Sequence, residues 1–124
     1  MLHILDVQDR QTRAATNQAL FRDVNERVKD LNETFGPLIP LGSWVCECAD
    51  EACVDHVAMF PAEYETVRQH GAHFLVAPSD PHVVTDVERV AERYERYWVV
   101  EMIEMAGEIA KAKDPRHRPL SLQT

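Results

Sequence analysis

All three cysteines of the chain lie in one short segment, "VCECADEAC", at Cys46, Cys48 and Cys53. On an extended strand, residues i and i+2 project from the same face, so Cys46 and Cys48 are expected to present two sulfurs on one side. The "ADEA" segment that follows is a turn sequence, and residues 54–60 are typical of a returning strand. The spacing therefore predicts a strand pair whose turn brings three thiols together.

Three converging thiols indicate a metal site, because Zn²⁺ prefers a tetrahedral set of thiolates and imidazoles. An odd cysteine count does not suit a disulfide framework. The start, "MLHILDVQDRQ", has neither a cationic leader nor an unbroken apolar run, so we expect no signal peptide and a cytoplasmic protein with reduced thiols. No apolar stretch reaches bilayer length, so no membrane association is expected. Zn²⁺ is the predicted cofactor; the alternative is that the thiols are reduced core residues.

The fourth ligand is not determined by the residues alone. His56 is nearest in sequence, whereas His82, in the "SDPH" loop, and His73 reach the thiols only through tertiary folding. A Cys3His site is closed and structural, but three cysteines plus water leave an open position for Lewis-acid chemistry. Loss of zinc with formation of a Cys46–Cys53 disulfide would instead make a redox sensor.

Residues 8–35 carry the strongest helical periodicity. Apolar side chains, with one asparagine, recur at spacings of three and four, which places them on one stripe of an amphipathic helix ending at Gly36-Pro37. The stripe consists of Ala14, Asn17, Phe21, Val24, Val28, Leu31 and Phe35. We expect the larger apolar members to dock on the protein's own sheet, namely Phe21, Val24, Val28, Leu31 and Phe35. The alternative is a coiled-coil homodimer in which Asn17 sets the register.

The rest of the chain alternates short helices and strands. Pro61 and the acids after it predict a helix over 61–70, "HFLVAP" at 73–78 predicts a buried strand, and "YWVVEM" at 97–102 predicts another. Residues 84–96 fit either a helix or an edge strand, and propensity favours the helix.

These elements predict an α+β fold with a long N-terminal helix on a small antiparallel sheet. At 124 residues the chain suits one domain, which we place at 1–114. It comprises the helix 8–35, a metal-site and sheet region at 43–103 and a helix at 104–113. Residues 115–124 are expected to form a flexible tail.

The formal net charge of −8 argues against direct nucleic-acid binding and favours a protein partner with a basic surface. The chain has no phosphate-binding glycine motif, no H-E-x-x-H and no zinc-deaminase signature, which argues against an enzyme. The composition and the cysteines together predict a zinc-stabilised interaction or regulatory module. The alternatives are a zinc-thiol redox switch and a small metal-dependent enzyme.

Three segments, "ALFRDVNERVKDLNETFG", "VCECADEAC" and "PAEYETVRQHGAHFLVAP", together resemble a group of small bacterial proteins. The group combines a long N-terminal helix, a C-E-C-A-D-x-x-C segment, an F-L-V-x-P-G-H stretch and a Y-x-V-V-E strand, and the resemblance covers residues 14–114. It implies ligands at Cys46, Cys48 and Cys53 and, through "VAPSDPH", which lacks the glycine and has additional residues, at His82. It also implies that 87–93 pair with 97–103 as a hairpin. It implies no reaction.

Overall fold

A computed structural model describes the backbone of residues 2–35, 41–50 and 52–116, with side chains described for 9–31, 41–50 and 52–116. The elements in chain order are α1 (Leu2–Phe35), β1 (Gly42–Val45), β2 (His56–Met59), α2 (Pro61–Arg68), β3 (His73–Val76), β4 (Glu88–Arg93), β5 (Trp98–Met102) and α3 (Glu104–Lys113). This arrangement confirms the predicted α+β class. The predicted helix end at Gly36-Pro37 lies outside the described residues.

The strands form two small antiparallel sheets. β1 pairs with β2, with Trp44 opposite Val57. The other sheet has the order β3-β5-β4. A hydrogen bond of 2.8 Å from the Glu47 amide to the Leu75 carbonyl oxygen links the segment after β1 to β3. The two sheets therefore meet beside the cysteine segment.

The helical expectation for residues 84–96 is wrong. β4 pairs with β5 through this stretch, with Val90 opposite Val100 and a bulge between Val90 and Glu92. The hairpin that the resemblance implies is therefore present. Val87, just before β4, and Val100, on β5, are buried in the core. The pairing of β4 with β5 outweighs the local helical propensity of the stretch.

The helix α1 faces the protein with a different stripe from the one predicted. Its buried side chains are mostly small or polar, and they are Gln11, Ala14, Ala15, Gln18, Ala19, Arg22 and Asn25. Val24 and Leu31 of the predicted docking stripe are 44% and 60% exposed, and the neighbouring Leu20 is 59% exposed. Val28 packs against the core and Phe21 is half-buried. The side chain of Phe35 lies outside the described residues.

Arg22, Gln18 and Asn25 on the inward face of α1 bind the rest of the molecule by hydrogen bonds. Arg22 donates to the carbonyl oxygens of Gly71 and Ala110 at 2.6 and 2.9 Å, and Gln18 donates to Glu88 at 3.0 Å. Buried polar groups are tolerated when they are paired in this way, so the apolar pattern does not identify the inward face. The predicted docking of Val24 and Leu31 on the sheet is wrong for this reason.

A buried ion-pair network joins the three helices. Arg68 on α2, whose side chain is fully buried, pairs with Glu26 of α1 at 3.1 Å and with Asp114 after α3 at 2.5 Å. Arg116, within the predicted tail, pairs with Glu26 and Glu65 at 2.5 and 2.7 Å. Residues 117–124 of the predicted tail lie outside the described residues. Among the described helices, none has the length and apolar character needed to cross a membrane.

Candidate metal centre

The cysteine segment leaves β1 and folds back through a short turn. β1 ends at Val45, so Cys46 to Cys48 lie just beyond the strand that their alternation predicts. The Cys46 amide donates to the Asp55 carbonyl oxygen at 3.0 Å, which prolongs the pairing with the returning chain. The Cys53 amide donates to the Asp50 carbonyl oxygen at 3.0 Å. This turn returns Cys53 toward Cys46, as the sequence predicts.

His82 reaches the cysteines from the connection between β3 and β4. A single 3-10 turn, Asp80–His82, follows β3, and the His82 amide donates to the Ser79 carbonyl oxygen at 3.1 Å. The ring then lies with Nδ1 3.2 Å from the sulfur of Cys46 and 3.8 Å from the sulfur of Cys53. The fourth donor therefore comes from a segment remote in sequence.

The structure thus brings together all four residues proposed from the sequence, hereafter the Cys3His cluster: Cys46, Cys48, Cys53 and His82. Their sulfur and nitrogen atoms lie within 4.8 Å of one another. Zn–S bonds of about 2.3 Å in a tetrahedron separate the ligand atoms by roughly 3.7 Å. The donor types and spacing of the cluster therefore suit a tetrahedral Zn²⁺ ion after small side-chain adjustments.

The other histidines considered as ligands lie elsewhere. His56, on β2, is exposed, and its Nδ1 lies 3.2 Å from the Ser43 hydroxyl. The Nε2 atom of His73, on β3, lies 3.0 Å from a carboxylate oxygen of Glu101. Neither belongs to the Cys3His cluster, so His82 is the histidine that the fold presents to the thiols.

A carboxylate contacts the His82 ring on the side away from the sulfurs. The Nε2 atom of His82 lies 3.0 Å from Oδ2 of Asp55. Metal-binding histidines commonly donate their second ring N–H to a carboxylate, which fixes the tautomer and increases the basicity of the ligating nitrogen. With Asp55 against Nε2, the ring is held so that Nδ1 faces the sulfurs.

The pKa values of the buried thiols Cys46 and Cys48 are shifted in opposite directions. The hydrogen bond with Cys46, together with that from His82, lowers the pKa of Cys48 to about 5 despite its burial. The same bond with Cys48, followed by burial, raises the pKa of Cys46. The Ala77 amide also donates to the sulfur of Cys46 at 3.2 Å. Of the three thiols, Cys48 is therefore the one that gives up its proton to a cation most readily.

A buried carboxylate, Glu47, braces the segment between Cys46 and Cys48. It accepts hydrogen bonds from Asn25 at 2.8 Å and from the Leu75 amide at 3.1 Å, and burial raises its pKa to about 7. Asn25 also pairs with the backbone of Val45 in both directions. Glu47 and Asp55 are not identifiable from the sequence, because nothing in a single sequence distinguishes them from surface acids.

The helix α1 also contacts the cysteine turn. The side-chain amide of Asn17 donates to the Ala49 carbonyl oxygen at 3.2 Å. Cys53, farther along the turn, is half-buried, whereas Cys46 and Cys48 are buried. The turn is thus held by helix and sheet together, and one of its three sulfurs borders solvent.

Comparisons with known proteins identify no relative of this chain. No protein-family model matches the chain, and neither a curated protein nor a solved structure matches it. The function is therefore inferred from the site and the surface of this chain.

Proposed function

We propose that this protein is a zinc-stabilised protein-interaction or regulatory module with one structural Cys3His site. The proposed ligands are Cys46, Cys48, Cys53 and His82. The observation that carries the proposal is the convergence of these four donor atoms within 4.8 Å. Four protein donors complete the tetrahedral shell of Zn²⁺, which leaves no position for a substrate and disfavours a metal-dependent enzyme.

The proposed ion would bind two separate parts of the chain to each other. Three ligands come from the turn between β1 and β2, and His82 comes from the connection between β3 and β4. In the unfolded chain these ligands are dispersed, so the free energy of metal binding contributes directly to folding. Zinc would therefore stabilise the junction of the two sheets.

The charge of the chain supports the proposed partner. With 21 acidic and 13 basic residues, the protein favours encounter with positively charged surfaces. We expect a basic protein or peptide rather than a nucleic acid. Titration with a lysine-rich and a glutamate-rich peptide tests this expectation: only the former should bind, with an affinity that falls as salt is added. Equal binding of both peptides would contradict it.

The zinc requirement is tested by metal analysis combined with thermal unfolding. Protein purified without added chelator should contain one tightly held equivalent of zinc, and a strong chelator should lower its melting temperature. The variant Cys46→Ser should lose both properties, whereas the exposed control His56→Ala should keep them. Less than half an equivalent of zinc, with no chelator effect, would overturn the proposal.

A thiol switch at the same cluster is the second candidate, favoured by the partial exposure of Cys53. Hydrogen peroxide would oxidise two thiolates to a disulfide, the two electrons reducing the peroxide to water, and the bound Zn²⁺ would leave. Mass spectrometry after mild peroxide should then detect a Cys46–Cys53 disulfide together with metal release. Unreacted thiols with retained zinc would eliminate this candidate.

A further inference from the structure

The outer face of α1 carries an apolar stripe that is not covered by any part of the chain that the structure describes. Leu20, Val24 and Leu31 are exposed, and Arg27, which is also exposed, completes a four-three-four spacing with them. This is the spacing of one coiled-coil seam. Hereafter these four residues are called the outer stripe.

The outer stripe lies opposite the face that α1 uses to bind the protein. At 100° per residue, Val24 and Leu31 lie about 160–180° from Arg22 around the helix. The Arg22 side chain is buried and hydrogen-bonded to the backbone near α3 and β3. The helix is therefore anchored by polar contacts on one side, and its apolar outer side is available to a partner.

We propose that the outer stripe pairs with the outer stripe of a second copy of this chain, in an antiparallel arrangement. In this register Leu20 lies opposite Leu31 of the other copy, and Val24 lies opposite Arg27. The stem of Arg27 covers Val24, as long cationic side chains do on apolar surfaces. Twofold symmetry repeats each contact, so the interface is self-complementary.

Charge complementarity is the argument for this occupant and this direction. Asp23 and Arg27 are both exposed, and at 100° per residue they lie toward the same flank of the stripe. Antiparallel pairing about a twofold axis brings identical flanks together, so each Arg27 meets Asp23 of the other copy. A parallel, in-register pair would instead place the two Arg27 side chains opposite each other. The charges therefore select the antiparallel dimer.

The opposite flank is apolar and fits the same register. Phe21 and Val28 border the stripe there and are half-buried. In the antiparallel register Phe21 of one copy lies beside Val28 of the other. The stripe extends only about 16 Å along the helix axis. This is a small interface, so we expect a weak dimer that forms at high protein concentration.

Analytical ultracentrifugation of the full chain with zinc present tests the dimer. The average mass should rise toward that of two chains over an increase in concentration of about a hundredfold. Leu31→Glu should keep the protein monomeric, whereas the control Leu41→Glu, at an exposed leucine outside the stripe, should not. A monomer at every concentration would leave the stripe to another partner and overturn the proposal. Equal self-association of wild type and Leu31→Glu would overturn it as well.

The direction of pairing is tested by exchanging charges between copies. Arg27→Asp and Asp23→Arg should each weaken the homodimer at least tenfold, because each creates two like-charge contacts. A mixture of the two variants should form heterodimers, because both contacts then join opposite charges. Native mass spectrometry distinguishes these heterodimers from the homodimers by mass. An ion pair within one chain cannot produce this rescue. Failure of the mixture to associate would refute the antiparallel register.

Discussion

The Nε2 atom of His82 lies 3.0 Å from Oδ2 of Asp55, while Nδ1 of the same ring faces the sulfurs of Cys46 and Cys53. Asp55 also accepts, through its carbonyl oxygen, the hydrogen bond from the Cys46 amide that closes the cysteine turn. One residue therefore positions two proposed ligands from different parts of the chain. Such outer contacts commonly influence metal affinity almost as strongly as the ligands do.

Removing the Asp55 carboxylate should weaken zinc binding without removing a ligand. We expect Asp55→Asn to lower the zinc affinity about tenfold, the smaller end of the usual range, because the carboxylate is partly solvated. Competition with a chromophoric chelator measures the change. Asp86→Asn, at an exposed acid paired with Arg10, is the control and should leave the affinity unaltered. Equal affinities for wild type and Asp55→Asn would contradict the assigned role.

Alanine replacements of the three candidate histidines should have sharply different effects on zinc binding. His82→Ala removes a proposed ligand, so the zinc affinity and the zinc-dependent part of the melting temperature should fall. His56→Ala and His73→Ala should keep both, because these rings contact Ser43 and Glu101 instead. The same loss in all three variants would show that no single histidine completes the site.

The buried network around Arg68 should dominate the stability of the helix contacts. Arg68→Met leaves the carboxylate of Asp114, which is 2% exposed, without its partner, so we expect a loss of about 3–5 kcal/mol in the free energy of unfolding. The matched control is Lys111→Met, which breaks an exposed pair with Glu108 and should cost less than about 1 kcal/mol. Urea denaturation measures both. A loss at Arg68 no larger than that at Lys111 would contradict this assignment.

The same network predicts acid sensitivity. Burial alone would raise the pKa of Asp114, but the hydrogen bonds from Arg68 and from the Arg116 amide, together with the positive charges of Arg68 and Arg22, outweigh burial and lower the pKa. A carboxyl group whose pKa is lower in the folded state contributes stability above its unfolded pKa and loses that contribution as the pH falls through the folded value. The contribution of Asp114 should therefore be lost progressively as the pH falls below about 4.

The measurement is the difference in unfolding free energy between wild type and Asp114→Asn as a function of pH. Taking this difference cancels the opposite effect of Glu47 and Glu88, whose pKa values are raised by burial. The difference in unfolding free energy should be constant from neutral pH down to about pH 5 and should decrease below about pH 4. A gap that does not depend on pH would contradict the ion-pair explanation.

Gly107 in α3 should resist replacement by alanine. A Cβ atom at this position would lie 2.7 Å from the carbonyl oxygen of Met102, at the end of β5. Glycine to alanine within a helix usually stabilises by up to about 1 kcal/mol. Here we expect a loss of about 1–3 kcal/mol, because the helix must move away from the strand. Thermal or urea unfolding that detects stabilisation would refute the close contact.

Local signals predicted much of the fold and most of the candidate site. The i, i+2 spacing of Cys46 and Cys48 and the turn after them are short-range features, so the convergence of Cys53 followed from local chemistry. The helix at 104–113 agrees with α3, Glu104–Lys113, for the same reason. His82 was proposed as a ligand from the resemblance. Its approach to the thiols depends on tertiary folding, which no spacing in the sequence specifies.

Two expectations failed where tertiary contacts decided the outcome. The stretch 84–96 has helical propensity, but its residues Glu88–Arg93 pair with β5 and form a strand. In α1 the apolar stripe predicted the inward face, but the fold presents small and hydrogen-bonding side chains such as Arg22 to the protein and leaves Leu31 outside. Periodicity detects an amphipathic helix, but it does not determine which of its faces meets the body of the protein.

X-ray absorption at the zinc K-edge of the purified protein tests the central claim most directly. We expect a four-coordinate shell with three sulfur atoms at about 2.3 Å and one nitrogen atom at about 2.0–2.1 Å. In His82→Ala the nitrogen contribution from imidazole should disappear while the three sulfurs remain. A shell dominated by oxygen and nitrogen, or protein without tightly held zinc, would contradict the assignment of the Cys3His cluster as a structural zinc site.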